Sequence, residues 1–258
     1  MQTLLVDQQN GIGWIRFNRP EVRNAVNLQM IEELELIIDQ WSRDEKIKVI
    51  VFKGDERAFV SGGDVEEFHQ LTSKQEIYPV MERMGRLLEQ VYQLDQITVA
   101  AVEGAAVGGG CEIAASCDFC LASDRAKFGM IQVKLGITTG WGGAGRLLHK
   151  IGTSRGLELL LTGDRITAQQ AKELQLADKL ISYENFEAEV ATFAKRLADA
   201  PAKVMKTYKH IARQVERGVP SSALYPVEAE SCSECWETEE HRQAVESFLS
   251  RTRGRDTR

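Results

Sequence analysis

Two glycine-bearing turns and one carboxylate are the residues of this sequence best placed to do chemistry. The first turn, Arg57-Ala58-Phe59-Val60-Ser61-Gly62-Gly63-Asp64, follows the apolar run Val49-Ile50-Val51-Phe52. The second, Ala106-Val107-Gly108-Gly109-Gly110-Cys111-Glu112, follows a run of strand-like residues that opens at Ala100. Glycines without a Cβ let another molecule come close to the backbone. If a helix starts at the second turn, its first N–H groups have no partner inside the helix, which suits an anionic oxygen. Gly63 and Gly109, each at the end of a strand, can then give one N–H apiece to a single oxygen. Such a pair stabilises the charge on a thioester carbonyl as it becomes an enolate. Glu112, one turn further in, would reach the carbon beside that carbonyl and is a candidate general acid/base. The same residues are also compatible with two plain tight turns and a solvated carboxylate.

The elements around them favour the first possibility. Residues 3–8 and 13–17 read as two strands joined by Gln9-Asn10-Gly11. Residues 18–27 form a loop with Asn27 as an N-cap, and Leu28, Ile31, Leu34, Ile38 and Trp41 then recur at helical spacing. Val80, Met84, Leu87, Leu88, Val91 and Leu94 mark a long amphipathic helix, and Phe119 to Ala122 a short strand. Strand and helix alternating at this spacing predict stacked, largely parallel β-α units, with both glycine turns at strand ends where such sheets place ligands. From Ser154 onward the patterns are helical: 155–161, 168–174, 186–198, 202–217 and 224–249. The 251–258 tail reads as disordered, and the helical C-terminal third as a lid or oligomer-forming region.

Bulk properties narrow the function classes. The 258 residues suffice for a sizeable core, and 43% hydrophobic with 27% charged residues is ordinary for a globular protein. A net charge of -6 argues against nucleic acid as a partner. No apolar run is long enough for a membrane span, and the N-terminus lacks the pattern of a targeting segment, so the expectation is a cytoplasmic protein. Five cysteines include two Cys-x-x-Cys pairs, Cys117/Cys120 and Cys232/Cys235, but their apolar and acidic helical settings speak against a zinc site, and no metal is expected. Gly140, Gly142 and Gly145 fit G-x-G-x-x-G without the strand that a dinucleotide site requires. The four histidines, His69, His149, His210 and His241, are scattered and receive no catalytic role.

The order of several motifs resembles the enoyl-CoA hydratase/isomerase (crotonase) superfamily. They are Asn18-Arg19-Pro20 with Arg23-Asn24-Ala25, residues 59–64, residues 106–112, Cys117-Asp118, Phe128-Gly129, Leu135-Gly136, Gly142-Gly143 and Leu161-Thr162-Gly163-Asp164. The resemblance extends to about residue 250. It implies an α/β spiral of repeated β-β-α units over 1–200, and a helical C-terminal lid and oligomerisation region over 201–258. It also implies a homotrimer or a hexamer built as a dimer of trimers, and an acyl-CoA substrate. Coenzyme A enters as part of that substrate, and no permanently bound cofactor is implied. By motif position the two oxyanion donors fall on Gly63 and Gly109. Arg23, Asn24 and Ala25 match the loop that contacts coenzyme A, and Arg57 matches a basic phosphate contact. Ser61, Gly62 and Asp64 belong to the first oxyanion motif and are assigned to substrate binding with them.

The chain also departs from the family pattern. Hydratases of the superfamily use a second glutamate twenty positions after the one that Glu112 matches, and that position is Gln132 here. An amide can orient a water or a substrate, but it exchanges no proton near neutral pH. Gly140 matches a residue that helps hold the hydratase water. Trp141, beside it, replaces a small residue and would narrow or dry the pocket. The resemblance therefore implies a hydratase-like lyase running on Glu112 alone. The alternatives are decarboxylation of a methylmalonyl- or ethylmalonyl-type acyl-CoA, which Trp141-Gly142-Gly143 resembles, and an acyl-CoA binder without activity.

Overall fold

The computed structural model describes residues 1–253, with side chains described to Ser250. It divides into two units, Met1–Ala198 and a helical unit that starts at Asp199. In the first unit, β1 (Leu4–Gln9) and β2 (Ile12–Phe17) form an antiparallel hairpin whose turn residues, Asn10 and Gly11, have φ of 52° and 77°. Such a two-residue turn needs positive φ at both positions, which Asn-Gly supplies. Helix α1 (Leu28–Ser42) is capped by the Asn27 side chain, which accepts the Met30 N–H at 2.9 Å. Removing a cap of this kind costs about 1 kcal/mol.

Three β-β-α turns follow. The first holds β3 (Val49–Lys53), β4 (Ala58–Val60), α2 (Val65–Phe68) and α3 (Lys74–Gln93). The second holds β5 (Ile97–Val102), β6 (Ala105–Val107) and α4 (Gly109–Ser116). The third holds β7 (Phe119–Ser123), β8 (Lys127–Gly129), a 3-10 turn at Ile131–Leu135, α5 (Gly143–Ile151) and α6 (Thr153–Thr162). In each turn the first strand joins a large sheet and the second a small one. With β9 (Arg165–Thr167), α7 (Ala168–Glu173), β10 (Lys179–Ile181) and α8 (Phe186–Ala198), the large sheet runs β1-β2-β3-β5-β7-β10 and the small one β4-β6-β8-β9. All pairings are parallel except β1 with β2 and β8 with β9. Strand β3 is buried at Val49 through Phe52, the continuous apolar pattern of a parallel strand covered on both faces.

This winding brings the two glycine turns together. Strands β4 and β6 pair in parallel, Ala58 with Ala105 and Val60 with Ala106, so their carboxyl ends lie side by side. The chain leaving β6 enters α4 through Gly108, at φ 55°, and a Cβ on Gly110 would collide with the Val60 carbonyl. Glycine at 110 therefore lets the start of α4 pack directly on the end of β4.

The C-terminal third is not helical throughout. Strands β9 and β10 interrupt it, each three residues long and too short to carry an alternating pattern. The continuous helix expected over 224–249 is two, α10 (Ser221–Trp236) and α11 (Glu239–Arg253), after α9 (Ala202–Glu216). The break comes at Thr238, whose side-chain oxygen accepts the His241 N–H at 3.2 Å. Within this helical unit Lys203 pairs with Glu234 at 2.9 Å, joining α9 to α10. Of the tail expected to be disordered, 251–253 continue α11 and 254–258 lie outside the described residues. No described helix is long and apolar enough to cross a membrane.

Candidate active site

Gly63 and Gly109 both present an N–H with no acceptor among the described residues. For Gly63 the cause is a parallel bridge with Val26, in which Val26 N–H donates to Gly62 O and Asp64 N–H to Val26 O, each at 2.8 Å. Alternate residues of an extended segment face opposite ways, so the Gly63 N–H points away from that bridge. For Gly109 the cause is its place in the first turn of α4, where N–H groups have no intrahelical partner. The turns are adjacent: a Cβ on Gly62 would sit 3.6 Å from the Gly109 nitrogen.

Glu112 lies one turn into α4 and is 2% exposed, so it is not the solvated carboxylate that the sequence also allowed. Its Oε1 accepts from Gln132 Nε2, and its Oε2 from the N–H groups of Trp141 and Gly143, each at 2.9 Å. The Gly140 N–H faces the same carboxylate, so in this structure Gly140 is turned to Glu112. A Cβ on Gly143 would overlap the Glu112 side chain, which is why the 140–143 loop can close over it. Burial pushes the Glu112 carboxyl above its ordinary value of 4.5, and the donors from Gly143, Trp141 and Gln132 offset only part of that. The folded chain thus holds this proton more tightly than the unfolded chain. The sign follows: Glu112 favours the fold when neutral, and its ionisation weakens the fold as pH rises from 4.5 through the raised folded value.

Gln132 is 8% exposed, and while its Nε2 donates to Glu112, its Oε1 is buried with no hydrogen-bond partner. A buried carbonyl oxygen without a donor is costly, and this one is left able to accept a further hydrogen bond. The Trp141 indole, 3% exposed, lies along Gly109, where a Cβ would fall inside the ring, and its Cζ2 would stand 3.6 Å from a Cβ on Gly63.

The loop residues assigned to substrate binding divide in two. Arg23 and Arg57 are exposed cations, and Ala25 is 8% exposed. Asn24, Ser61 and Asp64 are instead occupied in holding the loop. Asn24 is fully buried; its Oδ1 accepts the Arg19 N–H at 2.9 Å and its Nδ2 donates to Ala58 O at 2.9 Å. Ser61 Oγ donates to Val22 O at 3.2 Å. Asp64 pairs with Arg19 at 2.8 Å and caps α2 through the Glu67 N–H. These three side chains hold in place the turn that carries Gly63. Two further residues matter here: Gly143, a motif glycine whose role appears only in its packing on Glu112, and Arg146, absent from the sequence motifs, whose Nη1 donates to Trp141 O at 3.0 Å. Cys117 and Cys120 are buried in the core, and the described residues hold no group of three or more metal-ligating side chains.

Two backbone N–H groups without an acceptor among the described residues thus stand near the buried Glu112 carboxylate on a β-β-α spiral. The sequence model of the enoyl-CoA hydratase/isomerase family matches residues 7–255. The short-chain-enoyl-CoA hydratase of Clostridium acetobutylicum is 29% identical over 97% of this chain and 96% of its own. The crotonyl-CoA hydratase of Syntrophomonas wolfei is 28% identical over 97% and 96%. The crystal structure of an enoyl-CoA hydratase from Bacillus anthracis superposes with a TM-score of 0.91 at 28% identity, covering 97% of each chain. The chain belongs to the enoyl-CoA hydratase/isomerase family.

Proposed function

We propose that this protein hydrates a 2-enoyl-CoA through an oxyanion-stabilised thioester enolate, with Glu112 as the only carboxylate in the reaction. The thioester oxygen accepts from the Gly63 and Gly109 N–H groups. Glu112 takes one proton from a water whose oxygen adds to C3, the electron pair of the double bond moves toward the thioester oxygen, and Glu112 returns the proton to C2. The Gln132 Oε1 accepts the second O–H of that water. The observation that carries this reading is the pairing of Glu112, buried and raised in pKa, with the unpartnered Oε1 of Gln132. One group supplies the proton transfer and the other a place for water. The relatives named hydratases support it.

Arg23 and Arg57, both exposed, contact the phosphates of coenzyme A in this proposal, and no other cofactor takes part. The helical unit carries Tyr208, Tyr225, Trp236 and Phe248 at 66–70% exposure, apolar surface that a second copy of the chain would cover in a cytoplasmic homotrimer or hexamer.

Purified protein incubated separately with crotonyl-CoA and methylmalonyl-CoA, with products followed by mass, tests the reading. Hydration predicts 3-hydroxybutyryl-CoA from the first and no change in the second. Loss of CO₂ from methylmalonyl-CoA without hydration of crotonyl-CoA would replace it with decarboxylation. Binding of both without conversion would leave an acyl-CoA binder.

A further inference from the structure

We infer that Trp141 sets the acyl-chain length this site accepts, acting as a fixed wall that admits short acyl groups and excludes long ones. The inference rests on the acyl-CoA reading of the site and goes beyond it. The Trp141 backbone N–H donates to Glu112 Oε2 at 2.9 Å, and the indole on the same residue lies against both Gly109 and Gly63, the two candidate oxyanion donors. Apolar neighbours continue the wall. The Phe68 ring flanks Gly63, 2.8 Å from where its Cβ would be, and Met81 Sδ stands 2.6 Å from the same point on Gly140.

The wall is held in place. The Trp141 carbonyl accepts from Arg146 Nη1 at 3.0 Å, and Arg146 Nη2 donates to Glu89 at 2.9 Å, with its guanidinium 5.6 Å from the Tyr92 ring centre. Both backbone polar groups of Trp141 are thus engaged, one by the acid/base and one by a cation that is itself anchored. The backbone that carries the indole is therefore pinned on both sides, and swinging the ring away would uncover a residue that is 3% exposed. In the inferred arrangement a short acyl group fits beside the indole, whereas a longer chain must pass the ring. A pocket wall of this kind discriminates roughly 10- to 200-fold per methylene that does not fit.

Calorimetric binding of butyryl-CoA and decanoyl-CoA to the wild-type protein, Trp141→Phe and Trp141→Ala tests this. Both thioesters are saturated, so the measurement needs no chemistry and stands whether or not the protein is a hydratase. The wild type is expected to bind butyryl-CoA at least about tenfold more tightly than decanoyl-CoA, and Trp141→Ala to shift that ratio at least about tenfold toward decanoyl-CoA. Trp141→Phe, which keeps an aromatic ring in the loop, is expected to move the ratio in the same direction by less. Equal affinity of the wild type for the two thioesters would overturn the inference. So would an unchanged ratio in the folded variants. Failure of hydration with the chain-length ratio intact would instead count against the proposed reaction alone.

Discussion

Replacing Glu112 with Gln is expected to lower kcat/KM for crotonyl-CoA hydration by about 10²- to 10⁴-fold, the range for removing a positioned general acid/base. The fold should survive, for a specific reason. The Gln side chain can keep an oxygen toward the N–H groups of Trp141 and Gly143 while turning its NH₂ toward Gln132. The Gln132 amide can then rotate so that its own oxygen, now without a partner, accepts that NH₂. An amide pair replaces the amide–carboxylate pair, and the cost of burying a charge disappears. Affinity for butyryl-CoA, held by the oxyanion donors and the coenzyme contacts, should therefore change little. Steady-state hydration together with calorimetric binding measures both halves. Hydration that persists in Glu112→Gln would remove Glu112 from the mechanism.

Gly109→Ala should cost about as much by a different route. The added Cβ falls inside the Trp141 ring, and that ring is boxed between Gly109, Gly63 and the pinned 140–143 loop. Either the indole shifts, disturbing the N–H that holds Glu112, or the start of α4 moves and carries its donor away from the oxyanion. Loss of one donor typically lowers kcat by about 10²- to 10³-fold. Overpacking adds about 1–3 kcal/mol of destabilisation, measurable as a lower denaturant midpoint. A loss of stability without loss of kcat would show that the Gly109 N–H is not used. Glu112→Gln differs in this respect, since it should change rate with little change in stability.

The contrast between these variants reflects what was readable in the sequence. Gly108-Gly109-Gly110 before a small-residue helix announces an open helix start, because unpaired N–H groups there follow from local geometry alone. The apolar runs of β3 and β5 were equally readable, being buried on both faces. Asn24 and Asp64 sit in loops as recognisable as the glycine turns, yet they face Ala58 O and Arg19. Whether a polar side chain in a loop meets a ligand or a neighbouring backbone depends on contacts tens of residues away, which no local pattern records. The roles of Gly143 and Arg146 were hidden for the same reason, since their importance lies in what they touch across the fold. Strands β9 and β10 escaped because three residues cannot show a period, and each is held by pairing with a distant strand.

Because Gln132 does not ionise, the proposed reaction predicts a simple titration. A pair of carboxylates would share protons and titrate in two coupled steps, whereas Gln132 does not ionise and leaves Glu112 alone. As base, Glu112 acts in its ionised form, so activity must rise with pH through its ionisation, and burial places that ionisation above 4.5. The most direct measurement is the pH dependence of kcat/KM for crotonyl-CoA hydration. Hydration on one carboxylate predicts a single rising limb with its midpoint above 4.5, levelling to a plateau. Two ionisations on the acid side, or a rate that does not change through that range, would contradict it.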